Sequence, residues 1–241
     1  MADAADPAAV HAFTVGLLLL AAAAYAAGTT RLWRKAGAGR GISHAHAAAF
    51  ALGWLILAAS VLSPLHHLGE RLLWAHMVQH ELIMVLAAPL LVLGRPMEAF
   101  AWATRLRVRL PADPWLAWAL HAAVVWGWHA PGAFEQAVRS EAWHFAQHGS
   151  FLASALLFWW TVFAPRGRTL APLLSLFTTM LHTGALGALM TFSAAPWYSG
   201  YALEDQQLAG LVMWVPAGLA YPAAALACAA AWLRRGLPRP G

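Results

Sequence analysis

Two pairs of histidines in this sequence have the same spacing. His76 precedes His80 by four residues, and His144 precedes His148 by four residues. In an α-helix this spacing places both imidazoles of a pair on one face, about one turn apart. Each pair could therefore act as a chelating arm for a metal ion, or it could only form hydrogen bonds between helices, as many bundles do without metal.

The segments that carry these histidines are apolar. Of the 241 residues, 61% are hydrophobic and 10% are charged. A helix needs about 20 mostly apolar residues to cross ~30 Å of hydrocarbon. We therefore predict an all-α membrane protein, a seven-transmembrane-helix bundle that forms a single integral membrane domain over residues 1–241. The predicted spans are 10–27, 45–62, 72–93, 115–128, 142–164, 170–192 and 208–233.

Basic residues follow every second predicted span. The four groups are Arg31, Arg34, Lys35 and Arg40; Arg95, Arg105, Arg107 and Arg109; Arg166 and Arg168; and Arg234, Arg235 and Arg239. The positive-inside rule makes this side cytoplasmic, with the N-terminus outside and the C-terminus in the cytoplasm. Both histidine pairs then lie in the outer half of the membrane. Since topology accounts for the basic residues, no nucleic-acid partner is expected.

Other side chains could support the two pairs. A histidine inside a lipid-embedded helix needs a partner or a water-lined cavity, because an unpaired imidazole in hydrocarbon costs several kcal/mol. The second tier of candidate ligands or relays comprises His129, His121, His182, Met213, Glu81 and Asp205. His66 and His67 fall in a predicted outer loop, where solvation would account for them.

The two acidic residues of the second tier each allow more than one role. Glu81 lies inside a predicted span beside His80, where it could tune an imidazole, bind a metal, relay protons or remain a protonated or locally paired carboxyl. Asp205 marks the outer entrance to the last span. It could attract an incoming cation, or it could cap a helix and complement its dipole.

The remaining composition narrows the chemistry. Cys228 is the only cysteine, which excludes a paired-thiolate metal site. Thioethers such as those of Met77 and Met213 accompany the imidazoles, and this soft donor set suits copper, with zinc and haem iron as competitors. Lys35 is the only lysine and falls in a predicted cytoplasmic loop, so a retinal Schiff base is excluded. The sequence has no glycine-rich phosphate loop and no nucleophile elbow, so no enzymatic activity is predicted.

Six motifs occur in a characteristic order. They are SPLHHL (63–68), HMVQH (76–80), APLLVLGRP (88–96), WHAPGAF (128–134), HFAQH (144–148) and DQQLAGLVMWVP (205–216). In this order and spacing the sequence resembles the bacterial CtaG-type cytochrome c oxidase assembly factors of the multi-span type. The resemblance implies a seven-helix protein of the bacterial inner (plasma) membrane that helps to mature a haem-copper oxidase and handles copper for it.

Together these observations predict a non-enzymatic assembly factor in the lipid bilayer. We expect His76, His80, His144 and His148 to bind Cu(I), which is then passed laterally to the membrane subunit of a haem-copper oxidase. A periplasmic protein could supply the copper. Three alternatives stay open at this point: an electron-transfer protein with haem held between two histidines, a metal or proton transporter, and a purely structural assembly scaffold.

Overall fold

The computed structural model describes residues 6–108, 110, 113–163 and 170–236. Their regular secondary structure is entirely helical, which confirms the predicted all-α class. The elements are α1 (Pro7–Ala36), α2 (His44–Leu62), α3 (Leu65–Gly69), α4 (Leu73–Glu81), a π-helical segment (Leu82–Ala87), α5 (Ala88–Leu93), α6 (Pro96–Thr104), α7 (Pro114–His129), α8 (Pro131–Arg139), α9 (Glu141–Phe163), α10 (Ala171–Thr191) and α11 (Leu203–Gly236).

Within the described ranges, five helices are long and apolar enough to cross a membrane. They are Pro7–Ala36, His44–Leu62, Leu73–Leu93, Ala171–Thr191 and Leu203–Arg234. The two other predicted spans correspond to α7, which has 16 residues, and α9, which has 23 but carries polar side chains in its first two turns. The protein is thus a helical membrane protein, while seven spans and the orientation of the termini stay predictions.

Most of the basic residues that the structure describes lie at one end of the bundle, whereas Arg71, just before α4, and Arg139, at the end of α8, lie at the other. Arg31 at the end of α1 donates to the Ala103 carbonyl of α6 at 2.5 Å, and Arg95 donates to the Gly41 carbonyl. The other end of the bundle contains the starts of α4 and α9 and therefore both histidine pairs. Arg109, Arg166, Arg168 and Arg239, which also contributed to the predicted orientation, lie outside the described residues.

The helix from Leu73 to Leu93 is the central one. Its most apolar stretch is 72% buried, compared with 11% for α1 and 39% for α10. The π-helical segment lies in its middle, before Pro89, whose ring nitrogen cannot donate a hydrogen bond. A carbonyl one turn earlier therefore needs another donor, and Trp159 of α9 supplies it by donating to the Met84 carbonyl at 2.9 Å. This bond ties α9 to the central helix.

Glycines allow the closest helix contacts. A Cβ on Gly210 of α11 would lie 2.4 Å from the carbonyl oxygen of Gly187 on α10. A Cβ on Gly28 of α1 would lie 1.9 Å from the carbonyl oxygen of Ala99 on α6. Small residues at such crossings let membrane helices pack backbone to backbone. These contacts pair α10 with α11 and α1 with α6 around the central helix.

Candidate metal site

The start of α4 is held by a residue far away in the chain. Asp205, at the beginning of α11, accepts hydrogen bonds from the backbone nitrogens of Leu73 at 2.8 Å and Trp74 at 3.1 Å. These are free N–H groups of the first turn of α4, and a carboxylate there also complements the helix dipole. Of the two roles considered for Asp205, the structure supports capping, but of α4 rather than of its own helix.

A close approach of α3 fixes the same helix from another side. Gln79 of α4 donates to the Ser60 carbonyl of α2 at 2.8 Å. Gly69 lies against α4, where an added Cβ would be 2.8 Å from the Gln79 side-chain oxygen and 3.3 Å from His76 Cα. The loop that carries α3 can therefore pack directly onto the turn of α4 that contains His76.

The two histidine pairs face each other across α4 and α9. One ligand nitrogen from each of His76, His144 and His148 lies within 4.8 Å of the others, and all three residues are buried. The rings of His76 and His144 stack with centroids 5.1 Å apart and planes at 12°. We refer to His76, His144 and His148 as the buried triad. Because three imidazoles from two helices converge at this distance, the triad can hold one metal ion.

Hydrogen bonds connect the members of the buried triad to each other and to Gln147. His144 Nε2 and His148 Nε2 are 3.1 Å apart, so one ring must carry a proton between them or a cation must take its place. His76 Nε2 donates to the side-chain oxygen of Gln147 at 3.2 Å, which fixes the orientation of that ring. The Gln147 amide nitrogen is buried with no partner among the described residues.

His80 lies one turn deeper than the triad. Its ring centroid is 4.5 Å from that of His76 and 5.4 Å from that of His148. Both of its ring nitrogens are buried and have no hydrogen-bond partner in the described part of the chain. A neutral imidazole always has one donor and one acceptor, and leaving both unpaired in a buried position is costly. His80 is therefore available as a further ligand.

A soft donor lies beyond His80. The ring of His129, at the end of α7, has its centroid 5.5 Å from that of His80. His129 Nδ1 donates to the Val125 carbonyl at 2.7 Å, which leaves the lone pair on Nε2 free. This Nε2 is 3.4 Å from the sulfur of Met77. Two electron-pair donors thus face each other on the α7 side of the cluster.

Aromatic side chains cover the cluster from the outer side. Tyr198 donates to the His129 carbonyl at 2.8 Å and packs on Phe134, whose ring centroid is 5.0 Å from that of His76. Tyr201 donates to the Gly69 carbonyl at 3.3 Å, and burial raises its pKa to about 12. At ordinary pH Tyr201 therefore keeps the proton that it donates, and the Phe134 ring covers the His76 side of the buried triad.

A family model described as cytochrome c oxidase caa3 assembly factor (Caa3_CtaG) matches residues 23–235. The chain belongs to this family. The match confirms the resemblance based on the ordered motifs, and it makes the protein an assembly factor for cytochrome c oxidase, with the oxidase as its partner. No curated protein and no solved structure gives a significant match.

Several predicted residues of the assembly factor lie apart from the triad. His121 pairs with the Ser154 hydroxyl at 3.0 Å, and His182 accepts from the Trp126 indole at 3.3 Å. Met213 is buried in α11 and takes part in none of the imidazole contacts described above. Glu81 is buried at the end of α4 with one carboxylate oxygen unpaired among the described residues, and it belongs to neither of the groups of converging ligand atoms found there.

His66 is near the cluster, although the sequence pattern assigned it to a solvated loop. In the assembly factor its ring, on α3, stacks on His144 with centroids 4.8 Å apart and planes at 15°. Glu141 lies close by, with its Oε2 3.8 Å from His66 Nε2. Glu141 precedes His144 by three residues, and this spacing by itself predicts that the two side chains share one face of α9. The position of His66 has no such signal, because it depends on how α3 folds over α9.

Proposed function

We propose that this assembly factor binds Cu(I) at the buried triad and delivers it to the copper centre of the oxidase. The observation that carries the proposal is the convergence of three buried imidazoles from α4 and α9 within 4.8 Å. His80 adds a neighbouring imidazole with both nitrogens unpaired. We place the protein in the bacterial inner membrane with the triad towards the periplasm, where a copper donor would reach it.

The donor set favours copper in its singly charged state. The triad contributes only neutral nitrogen donors, and Met77 provides sulfur nearby. The cost of burying an ion rises steeply with its charge, so a site without an anionic ligand suits a monovalent ion better than a divalent one. Imidazole and thioether are also ligands that Cu(I) accepts at low coordination number.

The order of the imidazoles supports transfer rather than storage. From the triad, His80 follows with a centroid distance of 4.5 Å to His76, and His129 follows with 5.5 Å to His80. An ion could therefore exchange one ligand at a time, with only dative bonds changing. If the oxidase subunit docks near α7 or α9, it can take the copper as long as its own ligands bind Cu(I) more tightly.

The haem alternative receives less support. A haem between α4 and α9 needs a flat slot with one imidazole on each side. The rings of His76 and His144 instead stack directly against each other at 5.1 Å and 12°. The transporter alternative uses the histidines together with Glu81 as relays, but Glu81 lies outside the converging ligand groups of the described residues. Cu(I) handling thus accounts for more of the cluster than either alternative does.

The test is metal analysis with an absorption spectrum on the protein purified from its native membrane. We expect near-stoichiometric copper, no Soret band and no Cu(II) signal in electron paramagnetic resonance. The double variant His80→Ala/His148→Ala should lose most of this copper. Unchanged copper in that variant would remove both residues as ligands, and a Soret band would replace this proposal with the haem alternative.

A further inference from the structure

His144 belongs to two groups of converging ligand atoms. Besides the buried triad, it forms a second group with His66 and Glu141, whose ligand atoms also lie within 4.8 Å of one another. We refer to His66, Glu141 and His144 as the outer triad. The two groups share one imidazole, so an ion bound to the outer triad is already in contact with a ligand of the inner one.

The rings form a continuous column from one group to the other. His66 stacks on His144 at 4.8 Å, and His144 stacks on His76 at 5.1 Å, with planes within 15° in both cases. Exposure falls along this column. The side chains of His66 and Glu141 are 21% and 34% exposed, whereas His144 is 5% exposed and His76 is 1% exposed. The column therefore runs from the surface into the protein.

A pocket gives access to the column from one side. It has a volume of about 200 Å³ and lies between α1, α2, α3 and α9. Its polar lining includes all three members of the outer triad and His148 of the buried triad. His76 and His80 do not line it, so the open route reaches the buried triad through His144 and His148.

We propose that the outer triad is a loading station for Cu(I), a weaker site through which the ion reaches the buried triad. This inference rests on the proposed function. The carboxylate of Glu141 attracts the incoming cation and offsets its charge while the ion is still partly hydrated. His66 and His144 supply the first nitrogen ligands, and His144 keeps its bond while His148 and His76 replace Glu141 and His66.

No redox step is needed in this transfer. Copper arrives and remains as Cu(I), and the only changes are the formation and breakage of dative bonds from nitrogen, oxygen and water. The negative charge of Glu141 remains at the partly exposed outer triad when the ion moves on. The buried triad is therefore free of anionic ligands. The outer triad, with its carboxylate, would thus capture cations, and the buried triad, with imidazoles alone, would select Cu(I) among them.

The neighbouring residues offer matched controls. His67 follows His66 directly and its ring lies edge-on to that of His66 at 5.5 Å, but its side chain is 81% exposed and its Nδ1 lies 3.7 Å from Glu70, so it is not a member of the outer triad. Glu135 is an acidic residue of α8 that pairs with Arg139 at 3.2 Å. Changing His67 or Glu135 removes the same chemical groups from the same side of the protein without removing a member of either triad.

The experiment measures copper loading by stopped flow on the full-length protein in detergent. Cu(I) is presented as its cationic acetonitrile complex, and excess bicinchoninate added after set delays reports the copper that is still unbound by its colour. We expect Glu141→Gln and His66→Ala to slow loading by about tenfold, in the range of electrostatic steering effects, while the final stoichiometry stays at the wild-type value. Raising the ionic strength should slow the wild type and hardly affect Glu141→Gln. His67→Ala and Glu135→Gln should load at the wild-type rate.

Each other outcome overturns a defined part of the proposal. If Glu141→Gln and His66→Ala load at the wild-type rate, the outer triad is no loading station although the buried site stands. If they lose stoichiometry in equal measure to His148→Ala, their side chains belong to one shared site and no separate station exists. If the wild type takes up no Cu(I) at all, the proposed function fails, and the station fails with it because there is nothing to load.

Discussion

Two environments for buried histidine occur within α9 and its neighbours. His121 of α7 is 1% exposed, and its ring pairs with the Ser154 hydroxyl of α9 at 3.0 Å. His80 is 0% exposed, yet neither of its nitrogens has a partner in the described part of the chain. Burial alone therefore does not separate a structural histidine from a candidate ligand, whereas the neighbouring groups do: a hydroxyl faces His121, and other imidazoles face His80.

The difference has an energetic meaning. A buried polar group without a partner costs about 1–3 kcal/mol, so unpaired groups are rare in folded proteins unless a function retains them. At the triad, three imidazoles converge from two helices, and His80 beside them has both ring nitrogens unpaired among the described residues. At His121, one imidazole and one hydroxyl satisfy each other. The first arrangement suits a cation as cargo, and the second stabilises the contact between α7 and α9.

The largest expected effect is on copper binding, and it should differ between variants of one residue from each environment. His148→Ala should abolish most copper binding, because it removes one of the three converging imidazoles, and it should also lower the stability of the apoprotein, because it removes the hydrogen bond to His144. His121→Ala should keep copper but lower stability by about 1–3 kcal/mol, because it empties a buried position and removes the hydrogen bond between α7 and α9, although Ser154 keeps its bond to the Phe151 carbonyl. Metal analysis and thermal unfolding in detergent measure both. Loss of copper in both variants would contradict the distinction drawn between these environments.

Variants of Asp205 test whether its carboxylate has a structural role, as the cap of α4, or a role in attracting the cation. Asp205→Ala removes the cap of α4 and should lower the stability by about 1 kcal/mol, while Asp205→Asn, which keeps an acceptor oxygen, should retain most of it. Thermal unfolding of the apoprotein provides the measurement. If Asp205→Ala left stability unchanged and instead slowed copper loading, the role of cation attraction considered from the sequence would replace capping.

The smallest expected effect concerns Glu135 at the rim. Hydrogen bonds from Ser199, chiefly from its backbone nitrogen at 2.9 Å, hold the pKa of Glu135 below its ordinary value, and Arg139 adds to this. Because the folded-state pKa is the lower one, its stabilising contribution is present above the unfolded-state pKa and is lost as pH falls through the folded-state pKa. Unfolding followed from neutral to acidic pH should therefore show a shallower loss in Glu135→Gln. If the stability of Glu135→Gln fell with pH as steeply as that of the wild type, the hydrogen bonds between Ser199 and Glu135 would not stabilise the folded state.

Much of the candidate site follows from local sequence. Helical periodicity places His144 beside His148, and the structure has their Nε2 atoms 3.1 Å apart. The two pairs were expected at similar depth, and the structure brings α4 and α9 into contact there. By contrast, His182 was expected near the cluster but lies against Trp126. The depth of a residue in the membrane can be predicted by counting residues along its span. The rotation of the helix about its axis, which decides what the residue contacts, cannot.

The sequence by itself determined the membrane class, the pairing of histidines along each helix and the family. These depend on composition and on spacings of a few residues, which the α-helix converts directly into geometry. Only the tertiary structure decided that His66 stacks on His144, that Asp205 caps a helix 132 residues earlier in the chain at Leu73, and that Met77 faces His129. Such contacts join helices whose order and rotation around the bundle are set by packing across the whole chain, and no local spacing encodes them.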